Sequence, residues 1–341
     1  MDTPTHALIG RLIARAVWPE QQSRALVNLV TIASVLPDLD IFFPGDTLDR
    51  LETHRGITHS FFGAAIGALA LAWVAQRAGL RKFSFPKVYV VGLFGLLIHI
   101  LFDLATSYGT MIFHPFSNLR VSFDILFIID PYLDVIVIGG LLLGWVNWRK
   151  LGFGYRLGAA IFGCYLFLNV GVSLLSYHHI HRWFENHNIL PDRVAIMPTP
   201  FSPLHRRALV TSGDRVWYLP LSALGYVQDD ELVYTSALSD PRLDALWKTK
   251  AGRIYRWFAR FPVFEASAVD GLTTLVIQDL QFVVQPVGLG WLGSWAARLA
   301  LDHSPEFFDR TPFALTVVLD EEDGLKDIIY RGGSLDRAPE D

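Results

Sequence analysis

The chain has 341 residues, 52% hydrophobic and only 18% charged, with a net charge of −4. A soluble domain carries roughly a quarter charged residues, so this balance excludes a disordered chain and a basic nucleic-acid binder. A single cysteine, Cys164, excludes a disulfide framework and a cysteine-rich metal site. The charges are unevenly spread, with 24 among residues 1–177 and 38 among residues 178–341. Residues 1–177 are therefore predicted to be membrane-embedded, and residues 178–341 to form a soluble, slightly acidic domain.

The start, Met1-Asp2-Thr3-Pro4-Thr5, has no basic region and does not read as a cleaved signal peptide. Asp2 or Thr3 can cap a helix with Pro4 in its first turn, running to about Trp18-Pro19. A second apolar run, Ala25–Leu36, is expected to stop at Pro37. Both helices read as short for a bilayer and as packed on the others.

Four spans are expected to follow. Stretches without a formal charge cover 21 residues between Arg55 and Arg77 and 25 between Arg156 and Arg182. Shorter ones cover 15 residues between Lys87 and Asp103 and 14 between Asp134 and Arg149. A spanning helix needs about 20 apolar residues. The middle two reach that only with Asp103 and Asp134 near their ends. The predicted fold class is thus a polytopic α-helical membrane domain of four spanning helices plus two short N-terminal helices, followed by a soluble α+β domain.

Lys and Arg placement sets the orientation. The connectors Arg77–Lys87 and Trp148–Arg156 are basic with no acid, and are expected on the cytoplasmic side. Residues 104–131 then form an outer loop, and residues 178–341 an extracytoplasmic domain. The expected location is the cytoplasmic (inner) membrane, multi-pass.

Ionisable residues inside membrane helices are costly and mark functional sites by default. Here they are His6, Asp38, Asp40, His54, Arg55, His59, His99 and Asp103. The same topology puts all of them near the outer ends of their helices. His99 and Asp103 are i and i+4, on one helix face. Imidazole and carboxylate without thiolate suit zinc, with manganese or iron as alternatives. The candidate metal ligands are Asp38, Asp40, His59, His99 and Asp103. His54 and His6 are candidate catalytic proton carriers or further ligands, and Arg55 a candidate for an anionic substrate group. Asp124 and Asp130, on the loop, are candidates for orienting ligands or substrate. Thr58 reads as a possible cap of the helix that follows.

Several ordered pieces carry a resemblance. They are Met1-Asp2-Thr3-x-Thr5-His6-x3-Gly10, Leu36-Pro37-Asp38-x-Asp40, His54-Arg55-Gly56-x-Thr58-His59-Ser60 and His99-x3-Asp103-x2-Thr106. This set resembles the membrane-bound metal-dependent hydrolases of the LexA-binding, inner-membrane-associated type, over roughly residues 1–177. Asn118–Asp124 with Ile129-Asp130-Pro131 also looks like the longer members. The chain is more distantly similar to the zinc-dependent phospholipase C and P1 nuclease group, whose His-x3-Asp pair His99/Asp103 matches. That group also uses a His-x3-Glu pair, and His181-x3-Glu185 has that spacing. The resemblance implies a divalent-metal hydrolase. The site's depth suggests a phosphoester or ester bond of a membrane lipid or lipid-linked substrate. The rival readings are an ion or proton transporter using the same His/Asp set, and a non-catalytic anchor displaying the outer domain.

In the second half, strands are expected at Ala208–Thr211, Arg215–Leu219, Leu232–Thr235, Thr273–Gln285 and Ala314–Leu319, with a turn at Gly213-Asp214. Pro198–Pro203 reads as an entry linker. Leu243–Phe261 reads as an amphipathic helix that could lie on anionic lipid, or as a basic solvated face. Trp291 and Trp295 read as core or interfacial, and Arg331–Asp341 as a loose tail.

Overall fold

A computed structural model of the chain describes residues 1–20, 24–43, 45, 48–146, 152–200, 202–223, 225–227, 231–269, 271–283, 313–330 and 333–335. The expectations for Arg149, Lys150, Trp291, Trp295 and most of the C-terminal tail lie outside these residues. The chain divides into two compact units, Met1–Pro44 with Thr53–Gly171, and Gly45–Glu52 with Val172–Asp341.

The first unit is helical. Helix α1 (Thr3–Val17) is capped by Asp2, whose carboxylate accepts from Thr5 N at 3.0 Å, and Pro4 sits in its first turn. Helix α2 (Arg24–Ala33) runs on into a 3₁₀ segment, Leu36–Phe42. Pro37 does not end this element as expected. It falls in the first turn of the 3₁₀ segment, where its missing N–H costs nothing. Arg24–Phe42 together reaches 19 residues and is apolar enough to span, which corrects the reading of this run as too short.

A short helix α3 (Asp49–Thr53) precedes a 3₁₀ turn, Ile57–His59, and helix α4 (Phe61–Arg77). The cap of α4 is Ser60, which accepts from Gly63 N at 2.9 Å, and not Thr58, because the 3₁₀ turn delays the helix start. Helix α5 (Phe85–Leu104), α6 (Pro131–Val146) and α7 (Phe153–Asn186) complete the helices of this region. Among the described residues, Arg24–Phe42, α5 and α7 are long and apolar enough to cross a membrane. A fourth span arises if α4 counts together with Asp49–His59, across a 62° bend. Helix α6, at 16 residues, falls short.

The chain direction alternates between packed helices. His6 therefore stands at the first turn of α1 and His59 in the 3₁₀ turn just before α4, with Asp38 in α2's extension and Asp103 at the far end of α5. Arg15, Arg24, Arg77 and Lys87 stand at the opposite ends of the same four elements. The apolar core between them is built from Ile9, Leu12, Val27, Val30, Val91 and Ile98.

The second unit contains two antiparallel sheets. The first is β1 (Arg193–Thr199), β2 (Ser202–Ser212), β3 (Arg215–Leu221) and β4 (Leu232–Thr235), in that order. Gly213-Asp214 forms the β2–β3 turn, with Gly213 at φ +60°, a conformation that glycine adopts freely. Pro198–Pro203 is not a linker but the β1–β2 connection, since Thr199 pairs with Ser202. Helices α8 (Asp244–Trp247) and α9 (Lys250–Phe258) follow. The second sheet is β5 (Pro262–Val269), β6 (Leu272–Asp279), β7 (Leu315–Leu319), β8 (Leu325–Tyr330) and β9 (Gly333–Ser334). The apolar side of α9 does not face lipid. Trp247, Ile254, Tyr255 and Phe258 are buried within this unit, while Lys250, Arg253 and Arg256 are exposed.

Asp279 ends β6 fully buried and accepts from three backbone N–H groups: Arg260 at 2.7 Å, Phe261 at 3.0 Å and Gln281 at 3.1 Å. Burial nevertheless raises its pKa above the ordinary carboxylate value. A raised native pKa means that the native state holds the proton longer. This group's contribution to stability therefore falls as pH rises from the unfolded value through the native one. Asp279→Ala leaves three backbone donors, two of them buried, without an acceptor, and should destabilise this unit by about 3 kcal/mol. A lowered thermal midpoint of the full chain is the readout. An unchanged midpoint refutes the assignment.

Candidate metal centre

Four side-chain atoms converge at one end of the helical unit. His59 Nε2 lies 3.0 Å from His99 Nε2, 3.2 Å from Asp103 Oδ2 and 3.6 Å from Asp38 Oδ1. His99 Nε2 lies 3.4 Å from both Asp38 Oδ1 and Asp103 Oδ2. All four residues are buried, and their ligand atoms lie within 4.8 Å of one another. A tetrahedral ion with bonds of about 2.0–2.1 Å has ligand–ligand edges of about 3.3 Å. The observed spacings scatter around that value.

The backs of the four groups are held so that lone pairs face the centre. His99 Nδ1 donates to the Ser34 carbonyl at 2.8 Å, which leaves Nε2 as the acceptor nitrogen. His59 Nδ1 donates to Thr58 Oγ1 at 2.9 Å and lies 3.3 Å from Asp40 Oδ2, with the same result. Thr3 Oγ1 donates to Asp38 Oδ2 at 2.6 Å, leaving Oδ1 for the centre. Asp103 Oδ1 takes Met1 N at 2.7 Å, Arg55 Nη2 at 2.9 Å and His6 Nε2 at 3.1 Å. Its Oδ2 is buried without a hydrogen-bond donor. Such an arrangement of electron-rich atoms in a dry site suits a cation at its middle.

The other expected residues surround this group without joining it. Asp40, read from the sequence as a ligand, stands behind His59. It also accepts from Arg55 N at 2.9 Å and Thr58 Oγ1 at 3.2 Å, and meets His54 Nδ1 at 2.9 Å. His54 is the partly exposed member of the set, with 28% of its side chain accessible. Arg55 does not reach out toward a substrate. Its guanidinium is buried on Asp103, donates to Thr106 Oγ1 at 3.0 Å and lies over the Tyr108 ring at 4.8 Å. To aim inward it adopts φ +60°, unusual for a non-glycine residue. His6 stacks on His99 with ring centroids 3.8 Å apart.

Asp124 is buried in the 104–131 loop, also at positive φ. Asp130 caps α6, accepting from Tyr132 N and Leu133 N at 3.1 Å and from Tyr165 Oη at 2.5 Å. His181 and Glu185 belong to no metal-ligating group found among the described residues. Ser34 and Tyr108 were not legible in the sequence. One contributes only a carbonyl, and the other only a ring face.

The fold and this site together define a membrane protein with a buried Asp₂His₂ group able to hold a metal ion. The sequence pattern of the YdjM inner membrane proteins matches residues 1–179, and the chain belongs to that family. An uncharacterized protein of Bacillus subtilis (strain 168), YfhP, is 23% identical over 242 residues, covering 67% of this chain and 70% of its own. No solved structure matches. Neither description names a reaction.

Proposed function

We propose that the chain is a membrane-bound metal-dependent hydrolase acting on an ester or phosphoester bond of a lipid or lipid-linked molecule. The observation that carries this reading is the convergence of four buried ligand atoms at tetrahedral spacing. Zinc fits that geometry and donor set best, with manganese and iron(II) as alternatives. A cation held there would supply Lewis acidity and, on expanding its coordination beyond the four protein atoms, would acidify a water toward neutral pH.

The chain's own residues then have separate tasks. Asp38, His59, His99 and Asp103 hold the ion. Asp40 fixes the ring of His59, and Arg55 with His6 fixes the carboxylate of Asp103. His54, held by Asp40 and open on one side, carries protons between the site and the exterior. Arg55 is thus a positioning residue in this reading, because its two Nη atoms are engaged by Thr106 and Asp103. The basic ends of α1, α2, α4 and α5 lie opposite the group, and the positive-inside rule then directs the group to the outer face of the cytoplasmic membrane. Residues 178–341 follow on that side as the extracytoplasmic domain.

The test is hydrolysis in liposomes of phosphatidylethanolamine and phosphatidylglycerol with radiolabelled chains. Release of a labelled product should require the protein. It should stop with EDTA, return with zinc or manganese, and fall at least about 100-fold in Asp103→Asn. Equal release by wild type and Asp103→Asn would refute hydrolysis at this site.

A further inference from the structure

The end of the helical unit that holds the metal group is ringed by exposed phenylalanines. Phe61 and Phe62 open α4, directly after His59-Ser60. Phe42 follows Asp40 by two residues and is 76% exposed, and Phe116, on the loop after α5, is 82% exposed. The rings meet across elements: Phe61 with Phe113 at 6.3 Å between centroids, and Phe62 with Phe116 at 5.7 Å. The backbone ties them to the site, since Phe61 N donates to Ile112 O at 3.0 Å and Met111 N to Arg55 O at 3.0 Å.

This collar continues an exposed apolar stripe. Phe62, Ile66, Leu69 and Trp73 lie on one face of α4, at spacings of four, three and four, and all are exposed. The stripe ends where the Arg77 guanidinium lies 3.6 Å over the Trp73 ring, the kind of pair found at a membrane boundary. The stretch Leu104–Leu119, part of the expected outer loop, contains no Asp, Glu, Lys or Arg.

Helix dimensions place the group in depth. Asp103 follows Lys87 by 16 residues on α5, which is about 24 Å of helix. The hydrocarbon layer is about 30 Å thick. With Lys87 at one boundary, Asp103 lies roughly 6 Å inside the other, and any tilt puts it deeper.

We propose that the phenylalanine collar lies within the acyl layer and holds the chains of a membrane lipid beside the metal group. This deepens the hydrolase reading, and its substrate clause rests on it. The bond presented to the metal is the one joining the lipid's chains to its headgroup, because chains against the collar bring that junction to the depth of Asp103. The contact with lipid chains stands on the collar alone.

Site-directed spin labelling tests it without using activity or metal content. Cys164→Ser removes the single native thiol. Single cysteines then replace Phe42, Phe62 or Phe116, with Ile66→Cys as a mid-helix reference and Asp214→Cys, in the exposed β2–β3 turn, as a water reference. Each nitroxide-labelled protein is placed in liposomes of phosphatidylethanolamine and phosphatidylglycerol. Relaxation by oxygen is compared with relaxation by a water-soluble nickel chelate. At 42, 62 and 116 the oxygen-to-nickel ratio should be several-fold above that at 214 and should approach that at 66. A ratio equal to that at 214 places the collar in water and overturns the proposal. Low accessibility to both agents means that protein covers the collar, and overturns it equally. If the collar contacts lipid but no metal binds, the hydrolase reading falls while the lipid contact stands.

Discussion

Wild-type protein purified in detergent should carry close to one equivalent of divalent metal, and Asp103→Ala or His99→Ala should carry none after dialysis. Each of these changes removes one of four ligand atoms that lie within 4.8 Å of one another in a buried site. With three protein donors left, affinity should fall at least about 100-fold. Asp103→Ala also strands the guanidinium of Arg55, so Asp103→Asn is the cleaner variant. The amide oxygen can still accept from Arg55, but the negative charge is gone. Asp40→Asn should lose less, about 10-fold to 100-fold, because it removes only the support behind His59. Elemental analysis and titration against a chromophoric chelator give the order. Circular dichroism guards against unfolding. The metal reading fails if wild type binds no stoichiometric ion under zinc, manganese or iron(II) loading. A weaker failure is also informative: if Asp40→Asn loses as much as His99→Ala, Asp40 is itself a ligand and the ring of His59 is turned.

Much of this site was legible because few residue types can sit in an apolar helix without a reason. His99 and Asp103 are one turn apart on α5, and no fold keeps a helix while separating them. Their burial and shared neighbour His59 come from the helix packing, which that spacing does not specify. Roles were less legible than membership. Asp38 and Asp40 are both acids on a 3₁₀ segment, and the sequence offers no preference between them. What separates them is the path of the backbone, which brings Asp38 against Thr3 and Asp40 against the Arg55 amide. Arg55 reads from the sequence as a substrate anchor, because an arginine beside a site usually reaches outward, whereas in the structure its guanidinium lies on Asp103. A backbone at φ +60° turns it inward, and nothing in the residues around it announces that angle.

Punctuation failed in a related way. Pro37 and the Pro198–Pro203 stretch were read as breaks. Pro37 prolongs an element as a 3₁₀ turn, and Pro198–Pro203 closes a hairpin, because proline obstructs only a hydrogen bond that the neighbouring geometry requires. In the second half, β4 fell at its expected residues. The aromatic side of α9 was open to two readings, since a buried amphipathic helix and one lying on lipid share one pattern.

The site's precision depends on a close helix crossing, and Gly95→Leu should destroy it. A Cβ at position 95 would lie 2.6 Å from the Ala33 Cβ and 2.8 Å from the Val30 carbonyl oxygen. A third helix joins at the same level, since a Cβ on Gly10 would lie 2.2 Å from Ser34 Oγ. Ser34 Oγ in turn donates to Val30 O at 2.8 Å and lies 3.3 Å from Gly95 O. Small residues at such a crossing are what lets membrane helices pack. One turn beyond Gly95 comes His99, whose Nδ1 reaches the Ser34 carbonyl just past the end of α2. A leucine at 95 must push α2 from α5, and that hydrogen bond then stretches or breaks. Overpacking alone costs about 1–3 kcal/mol, and occasionally more. The released imidazole also loses its fixed tautomer. Metal affinity should therefore fall at least about 10-fold, with a lowered thermal midpoint. Gly163→Leu is the control, because a Cβ there meets nothing within 4 Å. It adds the same bulk to a spanning helix and should leave metal binding unchanged. Wild-type affinity in Gly95→Leu would show that the ligands are set locally and that the crossing does not position them. Equal losses in both variants would mean that added bulk in any spanning helix disturbs the site, and the argument from Gly95 would fail with it.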